Sequence, residues 1–110
     1  MKNISKNQMG ANAMSMVLLI LKRGDSYGYA IMQELKEISS GRIIWKEGSL
    51  YPILKKMETQ KLIKAYWNVK DFDRPRKYYK ILVKGINELE VFLEEQKFME
   101  NIINTLKEKL

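Results

Sequence analysis

Apolar side chains recur at helical spacing in four stretches of the chain. Met14, Val17, Leu18 and Leu21 follow the i, i+3, i+4, i+7 pattern of one helical face. They predict a first helix from near Gln8 to Arg23, stopped by Lys22, Arg23 and Gly24. Met16, Leu19 and Ile20 make its other sides apolar too. A helix that is greasy all round has to be covered all round, and a second chain is a natural cover. Asp25 or Ser26 can cap a second helix reaching about Ser39, with Tyr27, Ile31, Leu35 and Ile38 as its buried stripe. Ser39-Ser40-Gly41 breaks it, and the β-prone Arg42-Ile43-Ile44-Trp45 is expected as one short strand.

A third helix is predicted over Gly48 to Gln60, with Leu50, Ile53, Leu54 and Met57 inward. Gly48, Pro52, Lys55, Lys56 and Thr59 take the opposite face and Tyr51 the flank. Pro52 is tolerated near a helix start, where its missing N–H has no partner to lose. Ile63 to Trp67 and Arg76 to Ile81 are rich in β-branched and aromatic residues and predict a hairpin around the polar loop Asn68 to Pro75. Tyr78 and Tyr79 point to opposite faces of it, so one belongs to the core.

The last helix is expected from near Val83 almost to Leu110. Leu89, Phe92, Gln96, Met99, Ile103, Leu106 and Leu110 are spaced 3, 4, 3, 4, 3, 4, the seam of a coiled coil with one polar position that can set register. Such a helix is about 40 Å long and outruns a domain of this size. The expected architecture is mainly α: a winged helix-turn-helix of three helices and a small β-hairpin wing over residues 1–82, then a C-terminal dimerisation helix over residues 83–110.

Charge sharpens this picture. The net charge is +7 over 110 residues, but residues 46–80 alone carry +6, while residues 81–110 carry −2. The surplus lies on the two pieces that a winged helix turns toward DNA: the second helix of the pair, which fits the major groove, and the wing. Lys55 and Lys56 suit phosphates, as do Lys70, Arg74, Arg76 and Lys77 around the hairpin loop. Tyr51 suits a phosphate or a base edge, and Ser49 a phosphate or a helix cap. Pro52 shares the exposed face. Tyr27, Tyr29, Trp45 and Trp67 are expected in packing roles.

Other chemistry is poorly provided for. The chain has neither cysteine nor histidine. Disulfides and His or Cys catalysis or metal ligation are therefore excluded, and no phosphate loop or paired-carboxylate motif points to an enzyme. No cofactor is expected. The longest apolar run, Met16 to Leu21, has six residues, against about 20 for a membrane span. Met1-Lys2-Asn3-Ile4 has no signal-peptide pattern, so a cytoplasmic protein with no membrane partner is expected. A winged helix serving only as a protein-interaction module would keep the apolar seam without needing the concentrated charge. An RNA or single-strand binder wants exposed aromatics on a sheet.

Several of these elements together resemble one family. Tyr27-Gly28-Tyr29, Glu47-Gly48-Ser49-Leu50-Tyr51-Pro52-Ile53-Leu54 with Met57-Glu58 and Leu62-Ile63, and Arg76-Lys77-Tyr78-Tyr79 look like the YGY, EGTLYPxLxxLE and RKYY elements of PadR-like transcriptional regulators. The resemblance covers roughly Met14 to Gly85. It implies a dimeric winged-helix repressor that binds double-stranded DNA and whose last helix builds the dimer interface; many relatives respond to aromatic or amphiphilic small molecules. The expected dimer contacts are Met14, Val17, Leu21 and the seam from Leu89 to Leu110. An effector would be lined by Met14, Phe92, Phe98 and Met99. Lys46 and Leu82 stand where the family has helix-capping residues, and no tryptophan follows Trp67.

Overall fold

The computed structural model describes residues 12–70 and 74–110. Its elements are α1 (Ala13–Arg23), β1 (Ser26–Tyr27), α2 (Gly28–Ile38), α3 (Glu47–Thr59), β2 (Ile63–Asn68), β3 (Arg76–Ile81) and α4 (Val83–Glu108). The expected start of the first helix near Gln8 lies outside the described residues. So do Asp71, Phe72 and Asp73 of the hairpin loop.

The helices form because their apolar positions converge. Val17 and Leu21 of α1, Ile31 and Leu35 of α2, and Leu50, Leu54 and Met57 of α3 are buried together with Leu62, Ile63 and Tyr79. Leu89 of α4 joins the same core. α1 packs on α3, α4 and β3, so its own chain covers most of it, and only Leu19 keeps a large exposed apolar side chain. Val17, Leu21 and Leu89 therefore have almost no surface left to offer a second chain.

Both helices of the helix-turn-helix end in hydrogen-bonded reverse turns. After α3, Leu62 N–H donates to Met57 O at 3.0 Å and Lys61 N–H to Glu58 O at 2.9 Å, with Lys61 in left-handed backbone at φ 62°. After α2, Gly41 N–H donates to Lys36 O at 2.8 Å, with Ser40 at φ 55°. These are Schellman stops, which satisfy carbonyls that the helix leaves open. Lys84 of α4 adds a donor to the end of α3, its Nζ reaching Gln60 O at 2.9 Å.

The antiparallel sheet has the order β1-β3-β2, and its outermost short strand is not the expected one. Arg42 to Trp45 is loop. Its backbone is engaged locally: Ile43 N–H donates to Ser39 Oγ at 2.8 Å, and Ile43 and Trp45 pack half-buried against the core. The third strand is Ser26–Tyr27, paired with Tyr79 and Tyr78. Neither Asp25 nor Ser26 caps α2, which starts at Gly28 after Tyr27 with no side-chain cap. Ser26 belongs to the ladder, and Asp25 accepts a hydrogen bond from the Tyr66 hydroxyl at 2.6 Å.

Three packing expectations are also corrected. Ile38, at the last turn of α2, is 71% exposed because the turn leads the chain away there. Tyr29 is exposed on the first turn of α2. Trp67 is 64% exposed. It shares the core-facing side of β2 with Ile63 and Ala65, but lies farther toward the hairpin tip, where the wing outruns the helices. The result is a winged helix-turn-helix followed by a helix of 26 residues. From Leu93 onward every residue of that last helix is exposed.

Candidate nucleic-acid interface

α3 presents two different faces. Leu50, Leu54 and Met57 anchor it to the core, and this leaves Pro52, Lys55 and Lys56 in solvent with Ser49 half-buried near the start. Lys46 precedes the helix with extended backbone and provides no side-chain cap. Tyr51 leans back from the exposed face toward α2. A Cβ built on Gly28 would lie 2.7 Å from the Tyr51 hydroxyl oxygen and 3.0 Å from Cζ, so the ring uses space that only glycine leaves open. Tyr51 remains 41% exposed, which suits a ring wedged on one side and open on the other.

The wing is tied to this corner by aromatic packing. Tyr27, Tyr78 and Tyr66 stand side by side across β1, β3 and β2. Their ring centroids are 5.1 Å apart for Tyr27 and Tyr78, and 5.9 Å for Tyr78 and Tyr66. At one end the Tyr66 hydroxyl is hydrogen-bonded to Asp25, which pushes its pKa up to about 12. At the other end the Arg76 guanidinium lies 4.6 Å above the centroid of the Tyr27 ring, within cation–π range. On the opposite face of β3, Tyr79 is buried, and that burial, followed by the nearby Glu58 carboxylate, pushes its pKa up to about 12.

These contacts enclose a surface cleft of about 450 Å³ lined by Tyr27, Gly28, Tyr29, Tyr51, Arg74, Pro75, Arg76 and Lys77. Four residues expected at a DNA surface, Tyr51, Arg74, Arg76 and Lys77, thus meet in one place although 23 positions separate Tyr51 from Arg74. Ser49, Pro52, Lys55 and Lys56 lie on the neighbouring exposed part of α3. Lys70 lies beyond β2, its N–H bonded to Asn68 Oδ1 at 3.0 Å. Lys77 is the cation of the cleft with a carboxylate beside it: its ammonium is 4.0 Å from a Glu58 carboxylate oxygen and 5.8 Å from the Tyr79 ring centroid. Tyr27 and Tyr29, which the sequence assigned to packing, and Gly28, which it gave no role, are members of the cleft. The available signal was a glycine between two tyrosines at a helix start, where no turn requires one.

α4 carries the second exposed surface. Phe92 is half-buried against the core, while Gln96, Met99, Ile103, Leu106 and Leu110 are exposed along the seam, with Phe98 and Ile102 beside them. Met14 is half-buried on α1. Among the described residues no helix is long and apolar enough to cross a membrane.

Known proteins place the whole arrangement. The sequence model of the transcriptional regulator PadR-like family matches residues 17–91. A PadR-like transcriptional regulator from Bacillus cereus is 28% identical and superposes with a TM-score of 0.80 over 92% of this chain and 96% of its own. A PadR family transcription regulator from Clostridium difficile is 32% identical, with a TM-score of 0.74 over 86% of this chain and 97% of its own. An uncharacterized protein of Lysinibacillus sphaericus is 30% identical over 96 residues, which is 87% of this chain and 88% of that one. The match spans both the tyrosine-lined corner and the wing, and the likeness of fold extends into the long last helix: the chain belongs to the PadR-like family of transcriptional regulators.

Proposed function

We propose that this regulator binds double-stranded DNA sequence-specifically as a homodimer and represses transcription from the sites it occupies. The observation that carries the reading is the convergence of Tyr51 with Arg74 and Arg76 in one cleft beside the solvent-facing Lys55 and Lys56. A helix face of small and basic residues next to a cationic wing is the surface a duplex asks for: a helix in the major groove, cations along the phosphates. Lys55, Lys56, Lys70, Arg74, Arg76 and Lys77 act on phosphates in this reading. Ser49, Tyr51 and Pro52 orient the start of α3 in the groove.

Two copies pair through α4. Met99, Ile103, Leu106 and Leu110 leave an apolar row open to water over the last turns, and exposed apolar patches of this kind mark association surfaces. Gln96 lies in the same row and sets its register. Since Val17, Leu21 and Leu89 are consumed by the protomer core, Met14 and Phe92 are the earlier residues with surface left for a partner. A small aromatic or amphiphilic effector lodged near Met14, Phe92, Phe98 and Met99 would change the angle between protomers. The spacing of the two wings would change with it, against half-sites about 34–36 Å apart.

Genomic footprinting with the purified protein tests the reading directly. Protected sites sharing a two-fold symmetric sequence are the expected result, and uniform or absent protection refutes it. Transcription from a protected promoter should rise when the regulator is deleted, and a fall would replace repression by activation. Operator affinity that no aromatic or amphiphilic compound alters across a broad screen removes the effector.

A further inference from the structure

The cleft holds two side chains whose position depends on neighbours in its wall, the buried Gly28 and the half-buried Tyr27. The Tyr51 hydroxyl stands where a Cβ of residue 28 would be, at 2.7 Å. Real Cβ contacts do not come that close, so any side chain at position 28 moves the ring. The Arg76 guanidinium rests on the face of Tyr27, 4.6 Å from its centroid. An arginine on a free hairpin samples many rotamers, and immobilising it on contact with DNA costs side-chain entropy. An arginine already held on a ring loses less. Tyr27 is in turn fixed, as its strand pairs with β3 opposite Tyr78 and its ring packs against that residue's ring.

We propose that Gly28 and Tyr27 are positioning residues of the DNA interface, Gly28 by leaving room for the Tyr51 ring and Tyr27 by holding the Arg76 guanidinium, so that a hydroxyl and a cation face the same stretch of DNA backbone. This rests on the DNA-binding reading above. Neither residue touches DNA in this arrangement. Each acts through one named partner, and this makes the inference separable from a general need for a folded wing.

The test is a pair of double-mutant cycles, read as affinity for a fluorescently labelled random-sequence duplex at low salt, where phosphate contacts dominate. Gly28→Ala should weaken binding about tenfold, the scale of one lost hydrogen bond to a charged group. The same change should have no effect in a Tyr51→Ala background, where the added methyl meets no ring. Tyr27→Leu should weaken binding about two- to fivefold. Its effect should vanish in an Arg76→Ala background, and Tyr27→Phe, which keeps the ring, should bind like the unaltered chain. Thermal unfolding of every variant identifies those that have lost the fold, and the two double variants, relieved of the clash or of the cation, remain informative if Gly28→Ala does not fold. An unaltered protein that binds no duplex overturns the DNA reading and this inference with it. An unaltered protein that binds, with losses that add fully in both cycles or with Tyr27→Phe as weak as Tyr27→Leu, overturns the inference alone.

Discussion

Gly85 sits where α4 packs against Leu62, just before β2, and no room is left there for a side chain. A Cβ there would lie 2.3 Å from the Leu62 carbonyl oxygen and 2.9 Å from Ile81 Cγ1. The carbonyl cannot swing aside, because it accepts the Leu82 N–H at 2.9 Å. Gly85→Ala should therefore destabilise the fold by about 1–3 kcal/mol despite the better helix propensity of alanine, measured by urea unfolding. No loss would mean that α4 does not close on this corner. Tyr66 supplies a second residue-scale prediction. Its hydrogen bond to Asp25 holds the phenol neutral up to about pH 12 against an ordinary value of 10.0. A folded pKa raised above the unfolded one contributes stability below pH 10 that is lost as pH climbs toward 12. Asp25→Asn should bring the Tyr66 transition down, read from tyrosinate absorbance, while leaving the high transition of buried Tyr79 in place. Tyrosinate curves that coincide before and after the substitution would dissociate Asp25 from Tyr66.

At the scale of elements, α3 and the wing should contribute separable terms to DNA affinity. Lys55, Lys56, Arg74 and Arg76 are cationic and act on phosphates in the proposed reading, so replacing any one with alanine should reduce the slope of log affinity against log salt by about 0.9. Lys77 should matter less than these, because Glu58 already lies 4.0 Å from its ammonium. Tyr51→Phe is neutral to neutral and should leave the slope unchanged while weakening operator and random DNA alike, because its hydroxyl faces the backbone in this reading. Salt-independent binding by the unaltered protein would remove the electrostatic assignment altogether. The elements themselves differ in how openly the chain declares them. α3 and the two hairpin strands follow apolar spacing and composition, because each has a core-facing side that must be apolar. β1 has only two residues, Ser26 and Tyr27, and no periodicity can be read from two residues. Arg42 to Trp45 had the stronger β composition, yet the turn after α2 occupies its backbone groups.

At the scale of the whole molecule, the proposed assembly rests on α4. The protein extends 58 Å along its longest axis and 21 Å along its shortest, and all of α4 from Leu93 on is exposed. Met99→Glu together with Ile103→Glu should give a monomer by sedimentation, with the winged helix still folded, since neither side chain belongs to the core. The pair should also weaken operator binding far more than it weakens binding to a single half-site, because two linked half-sites gain from effective concentration. A stable monomer at micromolar concentration before any substitution would end the dimer reading.

What the sequence determined alone was whatever follows from local pattern: the apolar faces of the helices, the hairpin, the seam of α4, the concentration of charge in residues 46–80, and motifs specific enough to resemble one family. Side-chain burial repeats with the period of the backbone, so these can be read along the chain. What only the tertiary structure decided were contacts between residues far apart in sequence. Tyr66 with Asp25, Arg76 with Tyr27 and Tyr51 with Gly28 leave no periodic trace, because each is one close approach set by how the sheet meets the helices. The same holds for which apolar residues the protomer uses up. Val17 and Leu21 satisfy the pattern of an interface as well as they satisfy that of a core, and the packing of α1 against α4 and β3 assigns them to the core.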